Sequence, residues 1–351
     1  MSTKSILVIG ATGAQGLAVI DALLAPSTDG SPLPYAVRAL TRDPKSRRAQ
    51  SLKAKGVELA QCNTDDLDSV EAALKGVYGA WVNVDSFTVG EMKEMWSGMR
   101  IFELAKKLGV THYVWSSLEY ITKLGGYDEK YRTDHYNAKG RVADWMKAQP
   151  SIVSDTDMSW SSVSTGPYMD TLVEVFAPTQ RPDGTFVFAA PLGSGHVPLI
   201  ALADIGFFAR YTFDNRDLTS AKDLEIASEV IGWDDLVKTF EKVTGLKAVY
   251  KRLDINEWLD LFLDPDQPVA ADRVKGDGTT TFRQNFTGWW NIYKDDILQK
   301  DMSWIRAVHP NGYTVERWMR ENNYRGEFKG VLKRKEDAKG PMFNPEKLTA
   351  I

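Results

Sequence analysis

The chain has a single cysteine, Cys62, among 351 residues. One thiol cannot close an internal disulfide, so the expected setting is a reducing compartment: the cytoplasm, or the nucleus if the protein is a regulator. No apolar run supplies the roughly 20 uncharged residues that a membrane-spanning helix needs. The longest, residues 197–213, carries Asp204 and Arg210, and no membrane partner is expected. Positive charge is not in excess. Against 47 Asp and Glu stand 43 Lys and Arg, a net charge of −4 with no basic stripe, which argues against direct nucleic-acid binding. The four histidines, His112, His135, His196 and His309, show no metal-ligand spacing, so no metal site is expected. A Gly-x-Ser-x-Gly elbow and internal repeats are also missing.

What is there describes an ordinary folded chain, 43% apolar and 26% charged, long enough for about two domains. Residues 6–25 imitate a signal peptide, but Lys4 is their one flanking cation, Asp21 interrupts them, and three glycines recur at regular spacing. They read instead as strand, turn and helix. Strands expected at 5–9, 35–40, 57–60, 79–84, 111–115 and 159–163 alternate with helices at 15–24, 45–55, 68–74, 91–108 and 133–146. That rhythm implies βαβ units and a parallel sheet covered on both faces.

The rhythm breaks near residue 166. A hairpin around 186–188, an apolar segment at 197–211 and a strand at 224–227 follow. From Trp233 onwards the chain reads as helical and aromatic-rich, with Trp258, Trp289, Trp290, Trp304 and Trp318. A Pro/Ser/Gly-rich connection spans 26–34, and a charged, solvated extension spans 329–339. The expected fold is α/β, a Rossmann-like doubly wound parallel sheet with a smaller, mostly helical C-terminal domain. The first comprises residues 1–166 with a return at about 196–230, the second residues 167–195 and 231–351.

Gly10, Gly13 and Gly16 form GATGAQG directly after the first strand and at the mouth of a helix. The first glycine allows the tight turn, the second lets the backbone approach a pyrophosphate, and the third lets helix pack on strand. Placement at the head of a βαβ series makes this a dinucleotide site. At the end of the second strand an acid suits NAD and an arginine suits the extra phosphate of NADP. Thr41-Arg42-Asp43 offers both, and Arg42, reinforced by Lys45, Arg47 and Arg48, favours NADP(H).

These residues resemble the NmrA-like branch of the atypical short-chain dehydrogenase/reductases. GATGAQG, ALTRDP, HYVWSSLE, DHYNAKGRVADWM, STGPYMD and VPLIALADIG resemble successive motifs of that family, over roughly residues 5–325. The resemblance implies that Gly10, Thr12, Gly13, Gln15 and Gly16 hold the pyrophosphate and Arg42 the 2′-phosphate. It puts Asn63 where the family usually has an adenine-contacting Asp, Cys62-Asn63 replacing Gly-Asp. Val84 and Asp85 would flank the nicotinamide ribose, and Ser116 and Ser117 end the fifth strand. Lys139 would reach the ribose, and Thr165, Gly166, Pro167 and Tyr168 would border the nicotinamide.

Orthodox short-chain reductases pair Tyr and Lys four residues apart, on one helix face. No Tyr-x-x-x-Lys occurs here: four residues before Lys139 stands His135, and three before stands Tyr136. Both are candidate proton donors and equally candidate packing residues. Asp65, Asp66 and Asp68 read as a helix cap, Cys62 as unreactive, and the sequon at Asn285 as meaningless in a cytosolic chain. Phe282, Phe286, Trp289 and Trp290 fit a helical core or the roof of an apolar pocket. The expected function is an NADPH-dependent oxidoreductase acting on a small apolar organic molecule. The alternatives are a catalytically silent NADP(H) sensor that grips a regulatory protein such as a transcription factor, and a non-redox isomerase or cyclase.

Overall fold

A computed structural model describes residues 3–26, 34–332 and 343–348. Most of the connection at 26–34, and residues 333–339 of the charged extension, lie outside the described residues. Twelve strands are described: β1 (Lys4–Ile9), β2 (Tyr35–Thr41), β3 (Glu58–Gln61), β4 (Gly79–Val82), β5 (His112–Ser117), β6 (Ser159–Ser164), β7 (Thr179–Gln180), β8 (Phe186–Ala190), β9 (Val197–Leu199), β10 (Lys222–Glu225), β11 (Glu229–Ile231) and β12 (Ala248–Arg252). Seven form one sheet in the order β3-β2-β1-β4-β5-β6-β10, every neighbouring pair parallel.

Burial on both faces explains the apolar runs. In β1, Ile6 and Val8 point to the side where Val19, Ile20, Ile205 and Phe208 pack. Leu7 and Ile9 point to the other, against Ile101, Phe102, Val142 and Met146. The helices responsible are Ala14–Leu23 and Leu202–Asp214 on the first face, and Glu91–Lys107 and Asp134–Met146 on the second. Strand order reverses between β1 and β4, which opens a crevice at the carboxyl ends of the strands.

The C-terminal region is helical, with Trp233–Thr244, Ile255–Leu259, Phe282–Lys294, Met302–Val308 and Val315–Glu321 around an aromatic core. One expectation fails here. Residues 248–252, read as part of a helical stretch, form β12, which pairs in parallel with β8, while β7 closes the expected hairpin on β8's other edge. Gly245, in the left-handed conformation at φ +69, stops the preceding helix and frees the short alternating run Ala-Val-Tyr-Lys-Arg to pair.

His112 lies fully buried at the start of β5, its Nδ1 2.7 Å from Ser159 Oγ and its Nε2 3.3 Å from Ser161 Oγ. Burial first, then the charge of Arg216, pushes its pKa down to about 3, against a hydrogen bond to Ser159 that raises it. The unfolded imidazole takes up its proton near pH 6.5 and the folded one does not. Stability is therefore intact above pH 6.5 and falls as pH drops from there towards 3, by up to about 5 kcal/mol. Denaturant unfolding at pH 7 and pH 5 should show this loss, and His112→Asn should flatten it.

Candidate functional site

The glycine turn sits at the reversal point. Gly10 has φ +80, and the Gly13 amide donates to its carbonyl at 3.0 Å. A Cβ at Gly16 would lie 2.2 Å from that same oxygen, so only glycine lets the helix come this close. The Ala14–Leu23 helix starts at Gly13 with no side-chain cap, leaving its first amides for an outside acceptor. This open helix mouth and the crowded turn behind it suit a dinucleotide pyrophosphate. Gln15 is buried and its Oε1 accepts from Ser116 Oγ at 2.7 Å, tying the turn to β5.

Beyond β2, Asp43 Oδ1 is taken by the Lys45 amide at 2.8 Å, so this carboxylate shapes its own turn. Arg42 is exposed and has no ion-pair partner among the described residues, which leaves its guanidinium available to a phosphate. Asp85 is likewise engaged, accepting from the Phe87 amide and Thr88 Oγ1 at 3.1 and 2.8 Å. Gly10, Thr12, Gly13, Gln15, Arg42, Asn63, Val84, Asp85, Ser116, Lys139, Thr165, Pro167 and Tyr168 all border one cleft of about 480 Å³. Gly16 lies behind its wall. Burial first, then the charges of Asp85 and Asp170, push the Tyr168 phenol well above its usual range.

Lys139 occupies the centre. Its ammonium donates to Asn83 Oδ1 and the Val84 carbonyl, both at 2.8 Å, and to the Ser116 carbonyl at 3.2 Å. Those three acceptors join the ends of β4 and β5. Glu94 Oε1 lies 2.8 Å away as an ion pair at an angle poor for a hydrogen bond, and Ser86 Oγ donates to its other oxygen. Glu94 is fully buried; that burial pushes its pKa up to about 7 against the pull of Lys139. The sequence reading missed it, although its signal is visible. Glu94 shares the apolar stripe Ser97, Gly98, Ile101, Leu104 and Ala105 of its helix, where an acid needs a reason.

His135 and Tyr136 also border the cleft but differ in what they can do. The Tyr136 hydroxyl meets that of Tyr293 at 2.5 Å, and burial first, then the Glu119 charge, pushes its pKa far up. This phenol keeps its proton. His135 is flanked by Phe87 and Phe286, with ring centroids 4.6 and 6.0 Å away, and its Nδ1 meets the Asn285 side chain. Behind Thr165, buried Lys300 pairs with Glu119 and approaches the Ser164 and Thr165 carbonyls at 3.4 and 3.5 Å, an arrangement no local motif announces.

Cys62 is buried, accepts from Ser69 Oγ at 3.1 Å, and has its thiol pKa raised by burial, so it is no nucleophile. Asp66 caps the Leu67–Leu74 helix. Among the described residues no three metal-type ligands cluster, and no helix is long and apolar enough to cross a membrane. The far half of the cleft is aromatic: Phe176, Phe262, Phe282, Phe286, Trp289 and Phe343 line it. These aromatics serve core and pocket at once, since Phe282 and Trp289 are also buried in the C-terminal cluster.

A seven-stranded parallel sheet of this order, with a glycine turn at its reversal point, defines the doubly wound, Rossmann-like class. Within that class the family model of the NmrA-like family matches residues 2–271, and the chain belongs to that family. An NmrA-like family domain-containing oxidoreductase of Aspergillus hancockii is 29% identical, over 76% of this chain and 80% of its own. Another, of Malbranchea aurantiaca, is 27% identical over 74% and 78%. Among solved structures, NmrA, a negative transcriptional regulator in complex with NADP, superposes with a TM-score of 0.69 at 18% identity, covering 92% of this chain and 95% of that one. An NADPH-dependent quinone oxidoreductase of Escherichia coli reaches 0.65 at 18% identity, over 91% and 100%. At such identities these two share the fold.

Proposed function

We propose that the protein is an NADP(H)-dependent oxidoreductase acting on a small, apolar aromatic molecule. The observation that carries this reading is the continuity of the cleft, in which the glycine turn and strand ends open past Lys139 into an aromatic chamber. Bound NADPH supplies a hydride. The chain's own residues bind and orient: the glycine turn and first-turn amides take the pyrophosphate, Arg42 the 2′-phosphate, and Asn63 the adenine. Val84 and Asp85 flank the ribose, Lys139 holds it, and Ser116, Thr165, Pro167 and Tyr168 border the nicotinamide. The aromatic side chains exclude water from the reacting carbon. His135, one turn before Lys139 on the same helix face, donates a hydrogen bond to the oxygen that becomes negative, and solvent supplies the proton that neutralises it.

Stopped-flow mixing of the NADPH-loaded protein with a panel of aromatic ketones and enones tests the activity. Hydride transfer to at least one member is expected. No transfer at all, with a protein partner captured differently in NADP+ and NADPH, would instead mark a redox sensor. Cofactor choice is a separate expectation. A guanidinium forked onto a phosphate contributes about 2 kcal/mol, so NADPH should bind roughly 30-fold more tightly than NADH. Titration calorimetry should show that difference vanish in Arg42→Ala.

A further inference from the structure

Asn285, the first residue of the sequon, is fully buried in the Phe282–Lys294 helix, where the fold leaves no room for a glycan. Its neighbourhood is built by close approach. A Cβ at Gly288 would lie 2.0 Å from the Arg132 carbonyl, so this helix presses directly on the start of the Asp134–Met146 helix. Thr133 gives that helix no side-chain cap. The Asp134 amide donates instead to Asn285 Oδ1 at 3.0 Å. A backbone N–H only donates, so the atom it meets is the oxygen, and the carboxamide has one possible orientation.

The other end of the amide then fixes a histidine. Among the described residues, the acceptor within reach of Asn285 Nδ2 is His135 Nδ1, 3.1 Å away. A proton on Nδ1 would turn to Asn285 Oδ1, 3.2 Å away, and leave the buried Nδ2–H without an acceptor, which costs about 1–3 kcal/mol. We infer that Asn285 is a positioning residue that holds neutral His135 as the Nε2–H tautomer, with its ring set against Phe87 and Phe286 at the cleft. Nε2–H is then the hydrogen-bond donor that His135 offers to the oxygen of the substrate. This inference rests on His135 serving the proposed reaction, but its structural half does not depend on turnover.

Ring-nitrogen NMR of the ¹⁵N-histidine-labelled full chain, with His135 identified by loss of its signals in His135→Asn, reads the tautomer directly. In the wild type above the imidazole pKa, a protonated Nε2 and a bare Nδ1 are expected. Asn285→Asp puts an acceptor-only carboxylate at the same place and should move the proton to Nδ1. In turnover, the Asp variant should lower kcat about tenfold to a hundredfold while KM stays within about twofold, since a misplaced proton harms the transition state and not substrate binding. A wild-type ring protonated at Nδ1, or one unchanged by Asn285→Asp in a variant whose spectrum shows it folded, overturns the inference. An absence of hydride transfer in the wild type with the Nε2–H tautomer intact overturns the proposed activity and leaves the tautomer assignment standing.

Discussion

Gly13→Val is expected to abolish NADPH binding, by at least a hundredfold in affinity, while the protein stays folded. Gly13 has φ −77 and ψ 165, a conformation open to any residue, and its added Cβ would lie 3.2 Å from the Gly10 carbonyl. A shift of a few tenths of an ångström absorbs that contact. The rest of the valine projects at the uncapped helix mouth, where a pyrophosphate needs bare backbone. Gly16→Ala is the contrasting variant. Its methyl meets the Gly10 oxygen at 2.2 Å, so it should destabilise the fold itself by several kcal/mol. Calorimetric titration with NADPH beside thermal unfolding separates the two. Unchanged affinity in a folded Gly13→Val protein would show that the cofactor binds elsewhere.

Lys139→Met should lower turnover about a thousandfold or more and also weaken the fold. Catalytically it removes the ammonium nearest the proposed reacting centre. Structurally it strands Glu94, fully buried, without its cation, and a buried carboxylate that loses its partner costs about 3–5 kcal/mol. Glu94 already has its pKa raised from 4.5 to about 7. Loss of Lys139 raises it further, so the folded variant takes up a proton that the unfolded chain releases near pH 4.5. The variant's stability should therefore fall as pH rises above that value, and be worse at pH 8 than at pH 6. Adding Glu94→Gln should restore stability and leave turnover lost. A loss between pH 6 and pH 8 no larger in Lys139→Met than in the wild type would show that Glu94 does not depend on Lys139.

The parallel sheet was readable because strands buried on both faces appear as continuous apolar runs, Ile6 to Ile9 being the plainest. The half of the cleft proposed to take the dinucleotide was legible as a group of residues for a related reason. Its residues stand at strand ends, where each glycine, Arg42 and Thr165 has a fixed offset from an apolar run. The aromatic half was ambiguous because core packing and pocket lining require the same residue types, and Phe282 and Trp289 do both. Strand β12 was hidden by its five-residue length inside a helical region. The partners were the least legible. Lys300 reaches Glu119, and Asn285 reaches His135, only because a distant helix packs at a particular angle, and no local spacing encodes that.

The seventh strand of the sheet comes from far downstream. β10 pairs with β6 along Lys222↔Ser161 to Glu225↔Ser164, and Ser164 Oγ donates to Asp223 Oδ1 at 2.9 Å. Arg216 Nε donates to Ser159 Oγ at 2.6 Å, and the Leu202–Asp214 helix covers the Ile6 and Val8 face. During synthesis the first six strands therefore leave the ribosome with a bare sheet edge at β6 and one face only partly covered, by the Ala14–Leu23 helix, waiting for residues still being translated. A fragment cut at Gly166 inherits that half-built state permanently and is an aggregation hazard rather than a separable cofactor-binding module.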